Sequence, residues 1–143
     1  MRFFLKLNVV SILYALMIFI PIELVFNVYR ISRLTSWKID NVIIVTGITN
    51  IVVFIFCTIL LIRLTKRWLE GRKANFWTII LWFPYFILLI YIFASLFPLT
   101  NGGDYPNPVT GLLAIGGLIV FPIYILIINF VGFGSDDRTI EVT

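Results

Sequence analysis

The chain has no histidine and a single cysteine, Cys57, among its 143 residues. Those two shortages exclude Ser-His-Asp and Cys-His nucleophilic sites within one chain. Asp and Glu together number seven, so a zinc or transition-metal site lacks ligands as well. One cysteine permits no intramolecular disulfide and says nothing about redox compartment. Charge of either sign is scarce: charged residues make up 13%, against about 25% in soluble domains. The formal net charge is +4, but the basic residues sit in short clusters between apolar runs. They lack the face-wide footprint of a nucleic-acid binder. The composition therefore argues for no enzyme, no metal, no cofactor and no nucleic-acid partner.

Apolar sequence is what the chain has in abundance. Hydrophobic residues reach 61% and the mean hydropathy is +1.07, which leaves too little polar surface to face water. Four long apolar runs, about 7–29, 42–62, 76–96 and 109–133, are each long enough to cross a hydrocarbon core of about 30 Å as a helix. They do not alternate as barrel strands do, and no internal repeat relates the first pair to the second. The fold expected is all-α: a four-transmembrane-helix bundle forming a single integral membrane domain over 1–143. The basic start of the chain, with Arg2 and Lys6 ahead of the first run, has the look of a signal peptide. The run is too long for one and no small-x-small site follows it, so it is read as an uncleaved first span.

The connectors are polar. Residues 30–40 join the first two spans. The basic stretch 63–73 follows the second, with Lys66 and Glu70 at i,i+4, Gly71 suited to a helix C-cap and Trp68 at headgroup level. Residues 97–108 form the clearest loop, with Asn101-Gly102 and prolines at 98, 106 and 108. A short acidic tail, 135–143, reads as a solvated end. Eight of the eleven basic residues (Arg2, Lys6, Arg63, Lys66, Arg67, Arg72, Lys73, Arg138) fall on one side of the alternating connectors. Arg30, Arg33 and Lys38 fall on the other. The positive-inside rule then places both termini in the cytoplasm.

Glu23 is the most informative residue, because a charge within a span is costly and functional by default. It lies towards the outer end of the first span, two residues after Pro21. Read as one helix, Glu23, Asn27 and Arg30 form a polar stripe at i, i+4 and i+7, along which the carboxylate could pair with Arg30 or snorkel to the surface. Thr46 and Asn50 on the second span come at a similar depth, Tyr91 near the outer end of the third, and Asp104 in the loop. These seven residues are the candidates for a ligand or coupling site in the outer half, roofed by the Pro/Gly loop. The competing reading makes them interhelical hydrogen-bond glue. Gly111, Ala114, Gly116 and Gly117 on the fourth span are candidates for close helix packing, within the bundle or between copies.

The function these observations favour is a small non-enzymatic integral membrane protein of accessory, regulatory or immunity type. It would act through contacts with other membrane components: the lipid bilayer, another membrane protein or a homo-oligomer. The alternative is an oligomeric small-molecule or ion transporter using Glu23. A lipid-active enzyme ranks last, for want of a site inventory. The expected location is the cell membrane, multi-pass, with a bacterial inner membrane as the default.

Overall fold

A computed structural model describes residues 1–70 and 72–134. Gly71, with its expected cap, and the tail 135–143, with Arg138, lie outside the described residues. Among those described the chain is all-helical, with five α-helices: α1 (Arg2–Phe26), α2 (Val28–Thr35), α3 (Ile39–Arg67), α4 (Thr78–Leu96) and α5 (Pro108–Phe133). Short 3-10 turns at Lys73–Trp77 and Gly102–Asp104 precede α4 and α5. Helices α1, α3, α4 and α5, the first with its 25 residues and the second with 29, are long and apolar enough to cross a membrane. At about 1.5 Å per residue the 19-residue α4 spans about 29 Å.

Each boundary has a local cause. Asn107 caps α5 by accepting from the Val109 amide at 2.9 Å, with Pro108 in the first turn, where its missing N–H is no loss. Asp40 lies in the first turn of α3, complementing the positive helix end. The helix through the first apolar run does not reach Tyr29 as one piece. It stops at Asn27, where the backbone turns to φ −100° and ψ 12°. The eight-residue α2 then takes up the first half of the connector expected over 30–40. Val28 and Ile31 turn inward on it while Arg33 stays exposed. At the other end, α3 stops at Arg67, and Glu70 takes a left-handed φ of 55°. Glu70 therefore pairs with Arg72 rather than with Lys66.

The helices pack as a ring in the order α1, α3, α5, α4, with α1 also touching α5 across the middle. The main buried cluster lies in the half of the bundle nearer the N-terminus: Leu7, Val10, Tyr14, Ala15 and Met17 of α1, Leu61 of α3, Trp82 and Phe86 of α4, Phe121, Ile125 and Ile128 of α5. Trp82 and Phe121 meet edge-on with centroids 4.9 Å apart, and Phe121 stands 6.3 Å from Tyr14. Asn129 donates to Thr78 Oγ1 at 3.0 Å, and Tyr85 donates to Asn8 Oδ1 at 2.5 Å. Lys6 lies over the Trp68 ring at 5.8 Å and Arg72 over Phe3 at 5.0 Å, so the N-terminal turn and the α3–α4 connector share one end.

The close helix approach falls at a different glycine from those expected. A Cβ at Gly111, Gly116 or Gly117 would meet nothing within 4 Å. A Cβ at Gly132 would collide with the Thr65 side chain. Gly132 is thus the point where α5 and α3 come together, and the upper glycines are not a packing seam within the chain.

Candidate ligand-binding crevice

Above Phe86 on α4 and before Phe121 on α5, neither helix buries a single residue fully. The two separate there and leave a cavity of about 560 Å³, backed by α1 and covered by the loop after α4. Pockets that hold small ligands run from about 300 to 1,000 Å³. The walls are apolar: Ile22 and Phe26 of α1, Phe86, Ile90 and Phe93 of α4, Ala114, Ile115 and Leu118 of α5. Gly111 also lines it, and the bare backbone there widens the opening. Three polar side chains converge at its head, Glu23, Asn27 and Arg30.

The break after Phe26 positions that head. Asn27 Nδ2 donates to the Glu23 backbone carbonyl at 2.8 Å and to Glu23 Oε2 at 3.0 Å, which ties the turn back onto the carboxylate. Arg30, one turn into α2, does not pair with Glu23. Its Nη1 and Nη2 donate to the carbonyls of Phe97 and Pro98, each at 3.1 Å, and its Nε lies 3.8 Å from Asp104. Of the two arrangements expected for Glu23, pairing with Arg30 is therefore not the one found. The break swings Arg30 towards the roof, where it holds the loop down over the cavity.

Asp104 completes a clasp. It is 2% exposed, and Arg33 grips it with two bonds, Nε to Oδ1 at 2.9 Å and Nη2 to Oδ2 at 2.7 Å. Those bonds hold the Asp104 carboxyl below the usual carboxylate range, against the opposing cost of its burial, and Arg30 adds to the effect. The same bonds raise the Arg33 guanidinium further. Asn101 braces the loop from within by accepting from the Gly103 amide at 3.0 Å. Arg33 was missed in the sequence. The available signal was that Asp104 is the sole acid of residues 97–108, at an end that also carries Arg30, Arg33 and Lys38.

Three of the seven expected residues thus line one cavity, and Asp104 stands at its roof. The other three lie elsewhere. Thr46 is buried, lining a separate small cavity with Leu24, Ile31 and Val42 where α1, α2 and α3 meet. Asn50 does not border the crevice, and its Oδ1 is buried with no partner among the described residues. Tyr91 is 71% exposed on the outer face of α4, which removes it from the cluster. Of the packing candidates, Gly111 and Ala114 border the crevice instead of a neighbouring helix. Among the described residues no three His, Cys, Asp or Glu side chains gather as a metal site would require. No family model, curated protein or solved structure matches the chain.

Proposed function

We propose that the chain is a non-enzymatic integral membrane protein of four spans that works by holding another membrane component in the crevice between α4 and α5. An accessory, regulatory or immunity role follows naturally from such binding. The observation that carries the reading is the cavity itself, apolar along its walls and polar only at the Glu23 head. Lipid-facing surface surrounds it: Leu112, Leu113, Ile119 and Ile123 of α5 are all exposed, as they would be against acyl chains.

Orientation follows from the basic residues. Seven of those described (Arg2, Lys6, Arg63, Lys66, Arg67, Arg72, Lys73) lie at the N-terminal end, against three at the crevice end. The positive-inside rule then puts both termini in the cytoplasm and the head of the crevice in the outer half of the bilayer. A reporter fused after Thr143 should be active in the cytoplasm. Activity only outside the cell overturns the orientation.

The transporter alternative would use the same carboxylate. Below the crevice, however, Tyr14, Trp82, Phe86 and Phe121 fill the middle of the bundle. That favours a site reached from one leaflet over a path through a single chain. The binding reading is tested by native mass spectrometry of the full chain taken from membranes without detergent. Wild type should carry a small amphiphile at about one per chain, and Ala114→Leu, which narrows the crevice between α4 and α5, should lose it. Identical bound lipid in both removes the crevice as the site.

A further inference from the structure

We propose that the crevice takes a single-chain amphiphile with a protonated amine head, its ammonium at Glu23 and its hydrocarbon chain between α4 and α5. The inference rests on the crevice being a binding site and adds the chemistry of its occupant.

The charges at the head of the cavity decide its sign. Arg30 donates to two loop carbonyls and lies beside Asp104, and Asp104 is itself gripped by Arg33. Those three are bonded to one another and to the loop, and the surplus positive charge of two guanidiniums over one carboxylate stands beyond ion-pair distance of Glu23. Glu23 is different. Its Oε2 accepts from the Asn27 amide. Among the described residues it enters no ion pair, and its Oε1 has no hydrogen-bond donor. A half-buried carboxylate with one neutral donor has an unmet demand for a cation. An ammonium supplies that charge with three donors, in charge-assisted bonds roughly twice as strong as neutral ones. A phosphate or carboxylate head would meet Glu23 as a like charge, while Arg30 turns one N–H of each Nη towards the loop carbonyls. A hydroxyl would supply a donor without a charge.

The shape decides the rest. Below the head the lining is hydrocarbon and aromatic, with no further polar group until the packed core. The gap between α4 and α5 is confined to the half of the bundle under the loop, because Trp82 and Phe121 bring the two helices together beneath it. A partner helix, about 10–12 Å across with its side chains, enters only if those two helices part along their whole length. One extended alkyl chain fits between them as they stand.

The test uses the full chain in phosphatidylcholine nanodiscs, with labelled dodecylamine as the probe and protein-free nanodiscs as background. Wild type should bind dodecylamine saturably. Unlabelled dodecylamine should compete about tenfold better than dodecanol, the margin of a charge-assisted over a neutral bond. Glu23→Gln should erase that preference, and Ala114→Leu should abolish binding altogether. If dodecanol competes as well as the amine in wild type, the amine head is wrong, and this comparison needs no variant to fold. If both bind equally and Ala114→Leu removes both, the crevice stands as a site while its proposed ligand class falls. If neither binds above background, or Ala114→Leu leaves binding intact, the crevice reading falls with it.

Discussion

The two halves of the bundle are held together by different means. Near the N-terminus, α1, α4 and α5 interlock through Tyr14, Trp82, Phe121 and Ile125, all but fully buried. Near the loop end the same helices bury no residue fully against one another, and α2 is joined to the α4–α5 loop by Arg30, Arg33 and Asp104. In a bilayer, apolar side chains gain little by leaving lipid for a helix interface, so association depends on close packing and hydrogen bonds. The packed half meets that requirement. The loop half is then free to enclose space, provided something fixes its rim, and the Asp104 clasp does so from outside the apolar layer.

Truncating a large side chain in each half separates them most sharply. Trp82→Ala should lower stability by about 3 kcal/mol, the low end of the range for such core truncations, because lipid adds no hydrophobic gain to the lost packing. Ile87→Ala, whose half-exposed side chain borders open volume, should cost less than about 1 kcal/mol, since no comparable set of contacts is lost. Unfolding of each variant by denaturing detergent, relative to wild type in the same micelle, measures the difference. Equal losses would mean that the crevice wall is as tightly packed as the core.

Much of this contrast was hidden in the sequence, and the reason is physical. Length and hydropathy place four helices, because about 20 apolar residues in a row have one solution in lipid. The Pro/Gly loop over 97–108 was equally plain. How each helix is rotated was not, because a span that is apolar all round carries no amphipathic signal. Tyr91 and Tyr85 look alike in the sequence of α4, yet Tyr85 reaches Asn8 and Tyr91 faces outward. Glycine is similarly ambiguous. A small residue allows a close approach, as at Gly132 against Thr65, or leaves a gap, as at Gly111, and only the neighbour decides which. The polar stripe of Glu23, Asn27 and Arg30 was legible as a group. Its internal pairing was not, because no proline or glycine marks the break at Asn27.

The clasp offers a gentler test, confined to the loop half. The Asp104 carboxyl is held below its ordinary range in the folded chain, first by the Arg33 hydrogen bonds. Folding therefore favours its ionised form. The contribution is fully present above the ordinary aspartate value, about 3.9, and is lost as pH falls through the lower folded value. Hydrogen exchange at the amides of residues 101–105 should stay slow from neutral pH down to about 4, once corrected for the intrinsic pH dependence of exchange, and speed up only in stronger acid. Asp104→Asn keeps the shape but gives up the charge, so its loop should exchange faster at every pH and lose the acid transition. Amides around Trp82 and Phe121 should be unchanged by the same substitution, because local openings of a rim need not cross into a packed core. An Asp104→Asn chain whose core amides loosen in step with the loop would show that the two halves open as one unit, and that the rim helps to hold the core.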